Sequence, residues 1–246
     1  MSESKPTIVL VHGAFAESAS WNGVIERLQA KGVRAVAVAN PLRSLSGDAQ
    51  YVRDVIASID GPVVLVGHSY GGLVITEASS GNEQVVGLVY VSAFAPDTGE
   101  SAFTLSTSAP GSTLGDAVAA YPVADGGPEL VIRPEAFHAQ FCADVPESVA
   151  ALMAATQRPV TQAALAEGLP GEPGWKRIPS WHVFGDQDRN IPVAVFRTGA
   201  QRAGSQGTTE IAGASHALSV SQPDAVVATI AAAGRAYVES VSASAA

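Results

Sequence analysis

The stretch Val63-Val64-Leu65-Val66-Gly67-His68-Ser69-Tyr70-Gly71-Gly72 joins an apolar, β-branched run to a serine flanked by glycines. Four apolar residues bounded by Pro62 and Gly67 are typical of a strand buried on both faces, as in the centre of a parallel sheet. The apolar residues 73–75 after the turn can begin a helix. The stretch therefore predicts a strand, a sharp turn at Ser69 and a helix.

The spacing Gly67-x-Ser69-x-Gly71 is the one that a nucleophilic serine needs on a strand-to-helix turn. Such a turn strains the serine backbone, so the residues two before and two after it must be small. The backbone N–H of Tyr70 would then lie at a helix N-terminus, which favours a negatively charged oxygen. Glycine-rich turns without a catalytic role also show this pattern, so the interpretation depends on partners elsewhere in the chain.

Length and composition are compatible with one α/β domain that carries an insertion. The chain has 246 residues, 47% of them hydrophobic, which can form a sizeable core. The formal net charge is −9 without a basic run, so nucleic acid and anionic membranes are not expected partners. The single cysteine, Cys142, excludes an intrachain disulfide and is expected to be a small buried hydrophobic residue. Residues 1–6 do not resemble a secretory signal, and no apolar run approaches about 20 residues, so a cytoplasmic location is expected.

Apolar runs alternate with amphipathic helical patterns on both sides of a long central segment. Predicted strands cover residues 7–11, 33–39, 63–66, 85–91, 178–184 and 208–211. Helical patterns lie between the first four of these strands, and a last helix begins at Pro223. This alternation predicts a mostly parallel sheet with helices on both faces.

The pattern changes in residues 97–175, here called the insertion segment. It is rich in Ser, Thr, Gly, Pro and Ala, and it predicts only two short helices, around residues 134–142 and 146–156. Because it is too long for a connecting loop, we expect a helical lid folded over the sheet edge. Residues 1–96 and 176–246 would then form the core domain.

Apolar side chains near the predicted site are candidates to line a substrate pocket. Phe137, Phe141, Leu152 and Met153 come from the insertion segment, and Phe15 follows the first strand. Helical spacing is also typical of residues that only pack the lid itself. Both interpretations of these side chains remain open.

Acidic residues and a histidine follow the last two predicted strands. Asp186 and Asp188 lie after one strand, and His216 lies in a Gly/Ala/Ser loop after the other. Side chains at the carboxyl ends of parallel strands converge on one edge of the sheet, so either carboxylate could orient His216 beside Ser69. A solvated loop histidine is the alternative.

The order serine, acid, histidine, with each residue just past a predicted strand, resembles the α/β-hydrolase fold, whose catalytic triad runs in that order. The motifs are most similar to those of a small lid-bearing group that contains plant methyl-ester esterases, hydroxynitrile lyases and many bacterial esterases. The likeness rests on residues 9–14 (Val-Leu-Val-His-Gly-Ala), Trp21, residues 67–72 and the Asp186-Gln187-Asp188 loop. It covers nearly the whole chain and constrains the insertion segment least.

The resemblance implies a role for each site residue. The group's acid lies three residues after the strand-ending glycine position, which carries over to Asp188, and the other carboxylate becomes a turn residue. His216 would take the proton of Ser69 during attack on an ester carbonyl and then activate water for deacylation. The backbone N–H groups of Ala14 and Tyr70 would stabilise the carbonyl oxygen.

The other four histidines are not expected to take part in the chemistry. The ring of His68 should point away from the serine turn and form a hydrogen bond, and His12 should stiffen the loop after the first strand. His182 in a strand and His138 in the insertion segment are more often structural or solvated than ligands. No spacing among the five histidines indicates a metal site, and the implied mechanism uses no cofactor.

Three functions remain open. A serine carboxylic-ester hydrolase for a small to medium apolar ester is favoured, because the insertion segment offers Phe, Leu and Met but no basic cluster. Ser69 excludes dehalogenase and epoxide-hydrolase chemistry, which needs a carboxylate nucleophile. A hydroxynitrile-type lyase is disfavoured, because such relatives use an oxyanion-loop threonine and a lid lysine, where this chain has Gly13 and only Lys176 nearby. A ligand-binding receptor without turnover is the third, and both a monomer and a homodimer are possible.

Overall fold

A six-stranded parallel sheet forms the centre of the protein in the computed structural model, which describes residues 5–124 and 127–244. Predictions that fall on residues 1–4, 125–126 and 245–246 lie outside the described residues. The first elements are β1 (Thr7–Val11), α1 (Asn22–Ala30), β2 (Ala35–Val38), α2 (Leu45–Ala57), β3 (Val63–His68), α3 (Gly71–Ser79) and β4 (Val85–Val91).

The insertion segment folds into helices and a small antiparallel sheet. Its described elements are α4 (Ala102–Ser106), α5 (Leu114–Ala117), β5 (Val118–Pro122), β6 (Pro128–Ile132), α6 (Pro134–Phe141), α7 (Glu147–Thr156), β7 (Val160–Thr161) and α8 (Gln162–Ala166). The two predicted helices are α6 and α7. The helical lid expected from the sequence is only part of this fold, because β5, β6 and β7 pair side by side. Their alanine, proline and glutamate residues are weak strand formers, so the sequence pattern did not indicate them.

The chain then returns to the large sheet. The remaining elements are β8 (Ser180–Gly185), α9 (Val193–Arg202), β9 (Gly207–Ile211), α10 (Leu218–Ser221) and α11 (Pro223–Ser244). The large sheet has the strand order β2-β1-β3-β4-β8-β9, and all neighbouring strands are parallel. The predicted parallel sheet is confirmed, whereas α9 was not predicted. None of the helices within the described ranges combines the length and apolarity that crossing a membrane requires.

Helices cover both faces of the large sheet, as the alternating pattern predicts. Helices α1 and α11 pack on one face, against Val64 and Val66 of β3. Helices α2, α3 and α9 and the insertion segment lie on the other face, where β3 contributes Val63 and Leu65. Because successive side chains of a strand point to opposite faces, β3 supplies both cores and is buried throughout. This central strand carries Ser69 at its carboxyl end.

Burial lowers the pKa of two histidines in the core of the fold. The ring of His182 in β8 stacks on Tyr90 with centroids 4.6 Å apart, and Ser205 Oγ lies 3.1 Å from its Nδ1. Burial disfavours the charged ring and lowers the pKa of His182 from 6.5 to about 3. Burial likewise lowers the pKa of His12 to about 4, although its hydrogen bond to Gly13 acts in the opposite direction.

We predict that the protein loses stability as the pH falls below about 6.5. Between this pH and about 4, the unfolded chain binds protons at His12 and His182 whereas the folded protein does not. The free energy of unfolding should therefore fall by up to about 1.4 kcal/mol per pH unit for each histidine. Substitution His182→Gln should remove one such contribution, which urea unfolding at several pH values measures. An unchanged pH slope would contradict this account.

Candidate active site

Ser69 lies in the turn between β3 and α3 and has a φ of 55°. A positive φ strains a residue that is not glycine, and the strain persists only where the surroundings hold the backbone. A Cβ atom at Gly67 would lie 2.5 Å from Gly71 O, and one at Gly71 would lie 2.4 Å from Val11 O. Neither position accepts a side chain, so the two glycines allow the strand, the helix and β1 to meet at Ser69.

The loop after β1 lies directly against the serine turn. A Cβ atom at Gly13 would lie 2.6 Å from Ser69 Cβ and 3.2 Å from Tyr70 N, so the loop needs glycine there. Within the described ranges, the backbone N–H groups of Ala14 and Tyr70 have no backbone acceptor. Both residues line the same cavity as Ser69. Tyr70 immediately precedes α3, where unpaired backbone donors favour an anionic oxygen.

Buried polar groups hold this loop. Asn40 Nδ2 donates to His12 O over 2.9 Å, and His12 Nδ1 donates to Gly13 O over 2.9 Å. Phe15 has a φ of 61°, which is a strained conformation for a bulky residue, and its side chain lines the cavity. These contacts agree with the stiffening role expected of His12.

Asp188 and His216 form a buried hydrogen-bonded pair. His216 Nδ1 donates to Asp188 Oδ2 over 2.6 Å, and both side chains are almost completely buried. The other carboxylate oxygen, Oδ1, accepts hydrogen bonds from Asn190 N at 2.8 Å and Ile191 N at 2.9 Å. A carboxylate anchored in this way fixes the orientation of the imidazole and keeps the proton on Nδ1.

Asp186, the competing acid, has a different partner. Its Oδ1 accepts a hydrogen bond from Gly213 N over 2.7 Å and so supports the turn after β9. The fold therefore brings Asp188, rather than Asp186, to His216.

His68 connects the histidine loop to the serine turn. The ring centroids of His68 and His216 are 4.7 Å apart, and His68 Nε2 donates to His216 O over 3.0 Å. Burial holds the pKa of His68 well below its usual value, so the ring supports the site in its neutral form. His216 Nε2 is buried and has no hydrogen-bond partner within residues 5–124 and 127–244, and Ser69 Oγ is not bonded to it. This nitrogen is available for a proton.

A cavity of about 690 Å³ opens beside Ser69. Phe15, Phe94 and Phe103 supply aromatic walls, and helices α4 and α5 and the β5–β6 hairpin close other sides. Among the described residues, no charged side chain lines it. The cavity therefore suits a neutral, largely apolar molecule.

The pocket residues predicted in the insertion segment lie elsewhere. Phe137 and Phe141 are buried with ring centroids 5.0 Å apart, and the Phe141 ring meets the His216 ring edge to face at 5.0 Å. Met153 packs partly buried against the core, and Leu152 is 68% exposed. These four side chains do not line this cavity, whose wall in the insertion segment is formed by residues around α4 and α5 and by β5 and β6. Phe15 does line this cavity, and its role with substrate stays a prediction.

Sequence reasoning misses a buried carboxylate beneath the serine turn. Asp48 in α2 is fully buried, and its Oδ2 accepts a hydrogen bond from Tyr70 Oη over 2.9 Å. Its Oδ1 accepts one from Arg43 N over 3.1 Å. Burial raises the pKa of Asp48 above its usual value, although the two hydrogen bonds act to lower it. The sequence contains one indication of this carboxylate. Asp48 lies four residues before Val52, so the helical spacing places it on the buried face of α2.

Cysteine and possible metal ligands add no further chemistry to this site. Cys142 is free and buried, and burial raises the pKa of its thiol to about 12, which makes it a poor nucleophile. In the described part of the chain, no group of three His, Cys, Asp or Glu side chains is arranged to hold a metal ion.

The fold and the site together indicate one class of protein, an α/β hydrolase. Its features here are the strained serine on a strand-to-helix turn, the buried Asp–His pair and the parallel sheet. The chain belongs to the alpha/beta hydrolase family, whose sequence profile matches residues 8–229. The family expected from the motifs is thereby confirmed.

Individual relatives are similar over different lengths. A pyrethroid hydrolase of Sphingobium wenxiniae is 28% identical over 243 residues, which are 91% of this chain and 86% of that protein. The chain spans about half the length of other curated relatives that it matches. Methylesterase 8 of Arabidopsis thaliana is one of these, 33% identical over 138 residues, or 48% of this chain and 51% of that protein. The solved pyrethroid hydrolase of Sphingobium faniae shares the fold, with a TM-score of 0.76, 23% identity, and coverage of 95% of this chain and 99% of that one.

We predict that Gly71→Ala destabilises the protein by about 2 kcal/mol or more, because its Cβ would collide with backbone oxygen at the end of β1. Gly23→Ala is the matched control. Gly23 also lies in the first turn of a helix, but a Cβ there meets only ordinary contacts of 3.6 Å or more, so alanine should be neutral or stabilising. Urea unfolding of both variants measures the difference, and equal effects would contradict the steric argument.

Proposed function

We propose that this protein is a serine carboxylic-ester hydrolase that works through an acyl-enzyme, with Ser69, His216 and Asp188 as its catalytic residues. The observation that carries the proposal is the buried Asp188–His216 hydrogen bond next to the strained serine turn, to which His68 joins it, together with the uncharged cavity that Ser69 lines. The names of two relatives, a pyrethroid hydrolase and a methylesterase, support the same reaction class.

In the proposed mechanism, His216 Nε2 accepts the Ser69 Oγ proton as Oγ attacks the ester carbonyl carbon. Asp188 keeps His216 Nδ1 protonated and stabilises the imidazolium. The alcohol leaves with the proton from Nε2, and the acyl group remains on Ser69. Water then attacks the acyl carbon with the same imidazole as base, which releases the acid and restores Ser69. The Ser69–His216 hydrogen bond would form when substrate binds, since such bonds are often long without substrate.

The developing negative charge on the carbonyl oxygen needs donors that are already in place. The free N–H groups of Ala14 and Tyr70 lie at the same cavity as Ser69 and suit this role. Because their backbone is held by close contacts at Gly13 and Gly71, little reorganisation is needed during the reaction. Each such donor typically contributes about 3 kcal/mol to the stability of the transition state.

The cavity supports a small to medium neutral ester as substrate. Its volume of about 690 Å³ is within the range of sites that bind drug-sized molecules. A charged substrate would lose its hydration on entering and find no opposite charge in the lining. The aromatic side chains of Phe15, Phe94 and Phe103 favour apolar acyl or alcohol groups instead.

No observation favours the lyase alternative. The only lysine near the insertion segment in the sequence, Lys176, donates to Asp97 Oδ1 over 2.9 Å and does not line the cavity. A threonine side chain at position 13 would collide with Ser69. A receptor without turnover would retain ligand stoichiometrically and form no product, which a turnover assay distinguishes.

We predict that Ser69→Ala lowers kcat for p-nitrophenyl butyrate on the order of 10³-fold or more, because no nucleophile remains. Circular dichroism and urea unfolding should show an intact fold, since alanine fits where serine does. Residual activity close to wild type would refute the proposed function.

We predict that Asp188→Asn lowers kcat on the order of 10²- to 10⁴-fold, because an amide can donate to Nδ1 and favour the wrong imidazole tautomer. Asp186→Asn is the matched control, two residues away in the same loop and bonded to Gly213 rather than to His216. It should keep kcat within a few-fold of wild type. Similar losses in both variants would show that the loop, rather than the Asp188 carboxylate, matters.

A further inference from the structure

One short piece of the insertion segment contacts both loops that carry the proposed acid and base. The end of α6 touches the histidine loop, because Ala217 N donates to Phe141 O over 3.1 Å and Ser215 Oγ donates to Asp144 Oδ1. The same stretch touches the acid loop, where Arg189 Nη1 donates to the carbonyl oxygen of residue 139 over 3.2 Å. Residues 139–144 therefore bridge two loops that are distant in sequence.

Gln140 is the buried polar side chain at the centre of this bridge, and it is only 7% exposed. Its Nε2 donates to Arg189 O over 2.9 Å and to Asn190 Oδ1 over 2.8 Å. Its Oε1 accepts a hydrogen bond from Thr113 Oγ1 over 2.9 Å. Both ends of the amide are thus used, and a buried polar network satisfied in this way is rigid.

The partner of Gln140 leads directly to the proposed acid. Asn190, held through its side chain, donates its backbone N–H to Asp188 Oδ1 over 2.8 Å. The other oxygen of the same carboxylate accepts the hydrogen bond from His216 Nδ1. A continuous path of hydrogen bonds therefore runs from α6 through Asn190 and Asp188 to the imidazole.

We propose that Gln140 is a positioning residue for the reaction: it fixes the backbone of residues 189–190 so that Asp188 presents its free oxygen to His216. The inference rests on the proposed function. Gln140 itself does not line the cavity, whereas its partner Asn190 does, and the proposed effect on the reaction runs through Asp188. The insertion segment is by this account part of the catalytic framework as well as a wall of the cavity.

Loss of the Gln140 amide would affect its hydrogen bond to Asn190 more than its hydrogen bond to Arg189. Arg189 O keeps a second donor, Thr113 N at 2.9 Å, but Asn190 Oδ1 would lose its hydrogen bond from Gln140 in a buried place. A buried acceptor without a donor is unfavourable, so Asn190 and the loop of Asp188 would shift until Oδ1 finds another donor or water. A displacement of about 1 Å in a group that orients catalytic residues can reduce the rate on the order of 10²-fold.

The test replaces Gln140 by methionine, which has a similar length and flexibility but no amide. Substitution Gln140→Met should lower kcat for p-nitrophenyl butyrate about 10- to 100-fold and change KM by much less, because Gln140 itself lies outside the cavity lining and only its partner Asn190 belongs to it. The acidic limb of the pH–rate profile should move to lower pH, since the imidazolium loses part of its carboxylate partner. The downfield proton resonance of His216 Nδ1–H should weaken or broaden.

Gln157→Met is the matched control in the same segment. Gln157 also makes several hydrogen bonds, with Ile132 and Ala154, and in the described residues none of its side-chain hydrogen bonds goes to the loop of Asp188 or of His216. This variant should lose stability while kcat, the pH profile and the His216 resonance stay close to wild type. Equal losses of kcat in the two variants, or wild-type kinetics in Gln140→Met, would overturn the proposal.

A milder variant covers the case in which Gln140→Met does not fold. Thr113→Val removes the hydroxyl that donates to Gln140 Oε1, and it should lower kcat several-fold with the same shift of the pH profile. Unchanged kinetics in this variant would also count against the proposal. The His216 resonance is measured without substrate, so it reports on positioning even if Ser69→Ala were to refute ester hydrolysis.

Discussion

The structure depends on the close approach of several backbone segments at the carboxyl end of β3. Four positions there have no space for a Cβ atom, and these are Gly13, Gly67, Gly71 and Gly72. The last of them is the tightest, because a Cβ would lie 2.1 Å from Phe94 O. Hydrogen bonds from Ser69 N to Val91 O and from Phe94 N to Ser69 O complete the contact. The positive φ of Ser69 persists because β1, β3 and β4 all converge on it.

Around this contact, burial gives neighbouring polar groups different roles. His12 and His68 are buried and have no carboxylate partner, so burial lowers their pKa and the rings stay neutral. Each ring holds a neighbouring loop through a hydrogen bond to a backbone carbonyl. His216 is equally buried but has the Asp188 carboxylate at its Nδ1. Of these three rings, His216 is the one with a carboxylate partner that can balance a positive charge. It is also the ring that general base catalysis would use.

The insertion segment is attached at two sides of the site. On one side, the Glu167 carboxylate accepts hydrogen bonds from Leu45 N and Ser46 N, where the N-terminus of α2 favours an anion. The same helix places Asp48 under Tyr70. On the other side, Gln140 and its neighbours hold the acid and histidine loops. Between these attachments, α4 and the β5–β6 hairpin line the cavity, so the cavity wall and the contacts to the loops of Asp188 and His216 come from different parts of one segment.

The sequence by itself determined the features that depend on neighbouring residues. The buried run of β3 and the small residues around Ser69 are local patterns, because strand burial and turn geometry restrict residue types at fixed spacing. The order of serine, acid and histidine is visible because each of the three follows a predicted strand. Tertiary structure decided that Asp188 and not Asp186 meets His216, that Phe141 packs on the imidazole rather than in the cavity, and that Gln140 reaches Asn190 across 50 positions. These pairings depend on how distant segments pack against each other, which no periodicity along a single segment encodes.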